Sequence, residues 1–173
     1  GLDRAYEIAE GRVVSSNLEA SGYRLPTEVE WAYAARYSDQ GMVRYTWGDS
    51  VEPLMDSANI ADESAIKFVA RIFRGYNDRF SLTAPVGSFT PNQLGLFDMS
   101  GNVAEWVHDF YEVKVIAPGK VETDPNGAER GRYHVVRGSG WKHATVTELR
   151  LSFRDYSDQP RNDLGFRVVK WAN

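Results

Sequence analysis

Two acidic residues in a glycine-containing run give the strongest chemical signal in this sequence. The run GLFDMSGNVAEWVHDFY covers residues 95–111 and contains Asp98 and Glu105. Their carboxylates are hard oxygen ligands of the kind that calcium prefers, and the main-chain carbonyls of Gly101 and Val103 could complete the set. The run therefore predicts a loop built around a cation. The alternative is a turn aspartate followed by an outward-facing glutamate.

A second polar group lies earlier in the chain, in segments without regular patterning. Its members are Asn59, Asp62, Glu63 and Asp78. No spacing rule brings Asn59 to Asp78 across the residues between them. On composition alone, solvated loop charges are the better interpretation of this group.

The remaining chemistry-bearing residues match few catalytic patterns. The chain has no cysteine, which excludes disulfides, thiolate metal sites and cysteine nucleophiles. The spacings of its three histidines fit no helical zinc motif, so structural or exposed roles are favoured for them. No nucleotide-binding loop and no serine-hydrolase motif occurs. The histidines are His108, His134 and His143.

Four arginines and two aromatic residues near the C-terminus leave two interpretations open. They could line a polar pocket, or they could form the outer face of strands, which is the commoner arrangement. The residues are Arg150, Arg154, Arg161, Arg167, Tyr156 and Trp141.

Composition places the chain among ordinary globular domains. With 173 residues, 42% hydrophobic content and 25% charge, it can form one domain with a core. A net charge of −4 argues against a nucleic-acid-binding surface, and no apolar run is long enough to span a membrane. The first residues lack a signal-peptide pattern and an initiator methionine, so a processed or truncated piece is expected. A cysteine-free chain is compatible with the cytosol or the periplasm.

The elements that must position these residues are short. Thr27 and Glu30 have the spacing of a capping box, and the apolar positions after them predict a helix over 28–37. Residues 1–22 are weakly patterned, and most of the chain from 37 to 89 is irregular. Such a chain predicts one loop-rich α+β domain over 1–173, in which bound ions or side chains must pair many main-chain groups.

Regular alternation appears only in the C-terminal third of the chain. There it predicts half-buried strands, separated by turn residues such as the DPNG run at 124–127. The predicted strands cover 133–138, 148–156 and 164–171.

Seven segments are specific as a set because of their order and spacing. They are YRLPTEVEWAYAAR, YTWGD, ANI, TAPVGSF, the run over 95–111, VVRGSGW and NDLGFRVV. Together, over about 23–169, they resemble the formylglycine-generating enzyme or sulfatase-modifying factor family. The resemblance implies a C-type-lectin-like α+β fold with low secondary-structure content. Family domains carry several dozen residues before the RLPTE helix, so part of the N-terminal region is expected to be missing.

The resemblance implies two structural calcium sites. Ligands of the first correspond to the side chains of Asn59 and Asp78 and the carbonyls of Ile60 and Phe80. Ligands of the second correspond to the side chains of Asp98 and Glu105 and the carbonyls of Gly101 and Val103. Every side-chain position keeps an oxygen ligand. Asp98 stands where some members carry asparagine, a gain of charge that favours a divalent cation.

The same resemblance implies that copper chemistry is absent. Aerobic members bind copper(I) through two cysteines shortly after an RGGSW-like segment, and copper(I) requires such soft ligands. This chain has no cysteine, and ungapped placement puts His143 at the first of the two positions. The family's GGS becomes Gly138, Ser139 and Gly140, and Ala104 replaces a common tryptophan. No copper is therefore expected.

Three functional hypotheses follow. The first is a calcium-stabilised, non-catalytic binding or accessory module that presents the surface over 141–161 to a protein, peptide or glycan. The second is a cysteine-independent maturation enzyme of the oxidoreductase or tautomerase type. The third is a diversified ligand-binding receptor, weakly supported because few tyrosines and asparagines follow Trp141. Candidates for a catalytic pocket are Trp141, His143, Glu148, Arg150 and Arg154.

Overall fold

The computed structural model describes residues 1–115, 117–123, 125–128 and 130–172. Within these ranges the fold is α+β, with short strands and long irregular segments, which confirms the predicted fold class. No helix of the described chain is long and apolar enough to span a membrane. The elements are β1 (Tyr6–Ala9), β2 (Arg12–Ser16), α1 (Glu28–Arg36), a 3₁₀ turn (Glu63–Ala65), β3 (Ala104–Phe110), β4 (His134–Arg137), β5 (Arg154–Ser157) and β6 (Leu164–Phe166).

A four-stranded sheet in the order β5-β4-β3-β6 forms the centre of the fold. Strand β3 pairs antiparallel with β4 and parallel with β6, and β4 pairs antiparallel with β5. Strands β1 and β2 form a separate hairpin whose side chains are mostly exposed. Because this hairpin has no buried face, its sequence lacks the apolar alternation by which strands are predicted.

Helix α1 begins where the sequence predicts it. Thr27 Oγ1 accepts the Glu30 N–H at 3.3 Å, and Glu30 Oε2 accepts the Thr27 N–H at 2.7 Å, so both halves of the capping box are present. The helix ends at Arg36, one residue before the predicted end. Trp31 and Ala35 face inward and join a core cluster with Met99, Val107, Val135 and Leu151.

The run over 95–111 is a loop only in its first half, whereas the sequence predicted a loop throughout. Its second half forms β3, in which Val107 and Asp109 are buried and Trp106, His108 and Phe110 are half-buried. The first half is irregular, and Asp98 and Gly101 have positive φ there. The two glycines and Asp98 therefore indicate an irregular backbone for this first half alone.

The predicted strand over 148–156 is wrong for most of its length, because only β5 at its end is a strand. Leu149 and Leu151 alternate with exposed residues but lie in turns. Leu151 belongs to the cluster under α1, while Leu149 packs in a second cluster with Tyr45, Ala58, Ile60 and Tyr76. The two leucines of this turn pack into two different core clusters. Apolar and exposed residues therefore alternate here as they would in a strand.

The other strand predictions are confirmed in part. Strand β4 lies within the predicted range 133–138, and β6 covers only the start of 164–171. After β6 the chain makes a single bridge between Val169 and Arg24. The turn predicted at 124–127 includes Asp124, which lies outside the described residues.

Gly101 marks the closest approach between the two loop systems. Its φ is +86°, and a Cβ on this residue would lie 2.3 Å from the main-chain oxygen of Asn59. Gly95 in the same run has a similar φ of +75° but no atom within 4 Å of a built Cβ. The first glycine is therefore required by packing and by conformation, and the second by conformation alone.

We expect Gly101→Ala to destabilise the protein much more than Gly95→Ala. Both substitutions place an L residue in the left-handed region, at a cost of about 1–2 kcal/mol. Only Gly101→Ala adds a collision with main chain, worth roughly 1–3 kcal/mol more. Urea denaturation of both variants measures the difference, and equal losses of stability would contradict the close approach.

Candidate functional site

The residues of the first predicted calcium set lie together beneath the surface. Asn59 and Asp78 are buried, and so is the neighbouring Asp62. Asp78 Oδ2 accepts the Ile60 N–H at 2.8 Å, and its Oδ1 accepts the Phe80 N–H at 2.7 Å. Asp62 in turn accepts the main-chain N–H of Asp78. These carboxylates join two loops that are distant in sequence.

The interpretation of this group as solvated loop charges is therefore wrong for three of its four members. Only Glu63 is exposed. The burial of Asn59, Asp62 and Asp78 follows from the contact between the loops, which the sequence spacing does not reveal.

The buried group carries negative charge that no cation of the described chain neutralises. Neither Asp62 nor Asp78 takes part in an ion pair within the described ranges. Burial raises the pKa of Asp78 to about 6, and the Asp62 carboxylate adds to the rise. Asn59 Oδ1 is buried and accepts no hydrogen bond. An excess of hard oxygens with a free acceptor is a donor set that fits calcium.

In the second predicted set the glutamate already has a counter-ion. Arg167 Nε and Nη2 donate to the two Glu105 oxygens at 2.6 and 2.7 Å, and the Trp31 indole N–H donates at 2.7 Å. Asp98 Oδ2 accepts the Gly87 N–H at 2.8 Å. A divalent cation would have to share Glu105 with a guanidinium. This set remains a prediction that rests on the resemblance.

Nowhere in the described ranges do three or more His, Asp or Glu side chains meet at one point that could hold a metal ion. Both predicted sets instead combine two side chains with main-chain carbonyls. Mixed oxygen sets of this kind are usual for calcium, so neither set depends on such a cluster.

Two of the pocket candidates, Trp141 and His143, lie within hydrogen-bonding distance of main-chain groups around them. Trp141 is buried, and its indole N–H lies 3.4 Å from the Asn162 carbonyl. The Gly140 main-chain N–H donates to His143 Nδ1 at 2.8 Å. Because a main-chain N–H can only donate, Nδ1 must carry the lone pair, and the neutral imidazole has its proton on Nε2. His143 therefore presents a donor, not a free ring nitrogen.

Glu148 is engaged in the same local way. Its carboxylate accepts the Thr145 N–H at 3.0 Å and the Thr145 hydroxyl at 2.6 Å. Burial opposes ionisation of Glu148, but these bonds and the nearby His143 together lower its pKa. His143 and Glu148 are the two candidates that the structure brings near each other.

Arg154 and Arg150 do not join them. The Arg154 guanidinium forms three hydrogen bonds of 2.7 to 3.0 Å with the Glu28 carboxylate and stacks over the Tyr111 ring. Arg150 is exposed. The side chain of Phe153, not that of Arg154, contacts the His143 ring. Strand alternation thus sends Arg154 toward helix α1.

Arg154 instead lines a cavity of about 550 Å³ between the first turn of α1 and the ends of β3, β4 and β5. Glu28, Asp109 and Arg137 supply further charged groups to its walls. Sequence reasoning missed this cavity because each residue comes from a different element, and no spacing rule relates them. The only available signal was the position of Asp109 on the inward face of a strand, where a charge is unexpected.

Comparison with known proteins identifies close relatives. A model of the sulfatase-modifying factor enzyme 1-like domain matches residues 5–172. The formylglycine-generating enzyme of Streptomyces coelicolor is 33% identical over 164 residues, which cover 88% of this chain and 48% of the relative. The inactive C-alpha-formylglycine-generating enzyme 2 of Mus musculus is 31% identical over 162 residues, covering 87% and 44%.

One solved structure has a similar fold. The structure of PvdO from Pseudomonas aeruginosa matches with a TM-score of 0.62 at 28% identity, covering 84% of this chain and 51% of that one. The chain thus spans about half the length of each of these three proteins.

The hydrogen bonds of two histidines lead to opposite expected tautomers. His143 should carry its neutral proton on Nε2, because Nδ1 accepts from Gly140. His134 should carry it on Nδ1, because Nδ1 lies 3.2 Å from the His108 carbonyl, which can only accept. Two-bond ¹H–¹⁵N NMR spectra at alkaline pH distinguish the two forms. A proton on Nδ1 of His143 would contradict the fixed orientation of this ring, and His134 serves as the internal control.

Proposed function

Because this chain belongs to the sulfatase-modifying factor enzyme 1-like domain family, we propose that it is a calcium-stabilised binding or accessory module of that family. Its ligand would be a protein, a peptide or a glycan that contacts the surface over 141–161. The observation that carries the proposal is the state of His143, at the position of the first implied cysteine. Its Nδ1 is already occupied by the Gly140 N–H.

The local bonds at this surface favour recognition over cysteine-type chemistry. A catalytic nucleophile or base needs a free lone pair directed at the substrate. Thr145 donates both of its bonds to one oxygen of Glu148, Oε2, which ties this carboxylate to its own loop, and the chain has no thiol. Exposed Lys142 and the half-buried His143 instead offer N–H donors on one loop. A relative that is named inactive shares 31% identity with this chain, so inactive members of the family have similar sequences.

Calcium in the first set would supply the charge that the buried loops lack. Asn59 Oδ1 and the Asp78 carboxylate, with the Ile60 and Phe80 carbonyls, would hold the ion, and Asp62 would add a nearby negative charge. The free acceptor on Asn59 and the raised pKa of Asp78 support this proposal. The ion would fix the loops that lie under the surface over 141–161, since the Ala61 N–H donates to the His143 carbonyl at 2.9 Å.

A cysteine-independent enzyme is the second candidate, favoured by the proximity of His143 and Glu148. In that case the pair would act on a substrate bound beside Trp141. If a turnover reaction is found and His143→Ala leaves its rate unchanged, this candidate is wrong.

Removal of calcium should lower the melting temperature. A ligand present at 100 times its dissociation constant stabilises the folded state by about 2.7 kcal/mol, and exhaustive chelation removes that contribution. Calorimetry with calcium and with chelator measures the change for the wild type, Asp78→Asn and a control, Asp158→Asn. Asp158 pairs with the exposed Arg132, away from the buried group. We expect the calcium response to be lost only in Asp78→Asn.

An unchanged melting temperature after exhaustive chelation would contradict the proposed ion. Equal responses of the wild type and Asp78→Asn would place the ion elsewhere.

The calcium-loaded protein should not oxidise a thiol substrate. We expect a peptide with a central cysteine to keep its mass after incubation with the protein, copper(I) and oxygen, because no thiolate is available to hold the copper. Mass spectrometry of the peptide tests this, and the Streptomyces coelicolor relative is the positive control. Conversion of the peptide would overturn the non-catalytic assignment.

A further inference from the structure

We propose that residues 66–74, here called the basic loop, dock onto the headgroup layer of a membrane that contains anionic lipids. Two properties of this loop support the proposal. It carries cations that have no acidic partner, and it exposes large apolar side chains beside them. The proposal does not rest on the function assigned to the surface over 141–161.

The basic loop concentrates positive charge in a chain whose net charge is −4. Its sequence, IKFVARIFR, contains Lys67, Arg71 and Arg74 and no acidic residue. All three cations are exposed, and none of them takes part in an ion pair within the described ranges. Their charges are therefore available to an anionic surface.

The acidic residues that flank the loop lie at its base. Asp62 and Asp78 are buried. Glu63 is exposed, but its Oε1 accepts the Gly75 main-chain N–H at 3.1 Å, which ties its carboxylate to the end of the loop. The exposed residues over 66–74 therefore carry positive charge alone.

Two large apolar side chains stand beside these cations in water. Ile66 is 60% exposed and Phe68 is 57% exposed, on either side of Lys67. Phe73, near the other end of the loop, packs instead against the core cluster that contains Leu149. A single exposed apolar residue is ordinary on a protein surface. Two of them interleaved with unpaired cations form an amphipathic surface without a partner in the described chain.

Main-chain hydrogen bonds hold the loop in shape. The Phe73 N–H donates to the Ala61 carbonyl at 2.6 Å and closes the loop at its base. The Phe68 N–H donates to the Ala65 carbonyl at 2.8 Å and forms the turn that presents Ile66 and Phe68. A loop that is already ordered loses little conformational entropy when it binds.

A lipid surface matches the charge and the apolar side chains together. Anionic headgroups attract the cations, and an apolar side chain can reach the acyl boundary just below them. Each cation held near such a surface raises the affinity roughly fivefold. Transfer of the Phe68 ring out of water raises it about tenfold. An acidic protein or polymer that binds the cations alone would leave Ile66 and Phe68 in water.

The N-terminal hairpin shows why exposed apolar residues are not sufficient. Strands β1 and β2 also expose Ile8, Val13 and Val14. The exposed acids Glu7 and Glu10 accompany them, and an anionic membrane repels such charges. The basic loop combines exposed apolar residues with the complementary charge, so we assign the docking site to it.

The test measures co-sedimentation of the whole chain with vesicles of phosphatidylcholine alone and of equal parts phosphatidylcholine and phosphatidylglycerol. We expect the wild type to bind only the vesicles that contain phosphatidylglycerol. Binding should be lost at about 1 M salt, where the Debye length falls to about 3 Å.

Matched substitutions locate the contact. Arg71→Gln should weaken binding roughly fivefold, and Phe68→Ala about tenfold. Arg12→Gln in β2 removes the same charge, and Phe166→Ala in β6 removes a ring that is 67% exposed, and both controls should bind as the wild type does. Melting curves should be unchanged in Arg71→Gln and Phe68→Ala, because both side chains are exposed.

A fluorescent label tests insertion directly. Because the chain has no cysteine, Ala70→Cys gives one labelling position in the loop, and Ser16→Cys gives one in the hairpin as the control. Both positions are exposed. We expect an environment-sensitive dye at position 70, and not at position 16, to shift its emission to the blue on vesicles with phosphatidylglycerol.

Three results would overturn the proposal. The first is no binding to vesicles with phosphatidylglycerol, or equal binding to both kinds of vesicle. The second is an affinity that Arg71→Gln and Phe68→Ala leave unchanged. The third is equally tight binding to polyglutamate that Phe68→Ala does not weaken, which would assign the loop to an acidic protein partner.

Discussion

The fold depends on pairing the polar groups of a long irregular backbone without the help of strands. Asn102 shows how this is achieved. Its side chain accepts the Ala84 N–H at 3.0 Å and donates to the Ala84 carbonyl at 3.2 Å, as a neighbouring strand would. Its own main chain bonds to the Asn59 carbonyl at 2.8 Å and to the Trp141 N–H at 2.9 Å. One residue thus joins three loops, and buried main-chain groups find partners that secondary structure does not provide.

The same constraint explains why charged residues are buried here. Asp62 and Asp78 accept main-chain N–H groups of neighbouring loops, a role that a carboxylate performs well because it has several acceptor positions. The cost is a buried negative charge without a counter-ion, and the raised pKa of Asp78 reflects this cost. At Glu105 the protein meets this cost with Arg167. Glu105 thus has the Arg167 guanidinium as its cation, whereas Asp78 has no such partner among the described residues and fits a bound cation.

Asp109 follows the same logic at the start of helix α1. Its carboxylate holds the first turn in place through the Glu28 N–H, while Glu28 holds Arg154 on the other side. The helix, β3 and β5 are thereby linked through two carboxylates and one guanidinium. These linked residues also line the cavity beside the helix.

The sequence by itself determined the features that depend on neighbouring residues or on the chemistry of side chains. The start of α1 follows from Thr27 and Glu30, because a capping box is complete within one turn. The missing thiols follow from composition, and the family follows from the order of seven segments. Tertiary structure alone decided which charges are buried and which residues meet. Leu149 imitated a strand because two cores flank one turn. Arg154 does not line the expected pocket, because it pairs with Glu28. The two residues are 126 positions apart in the sequence, and only the packing of distant segments decides that they meet.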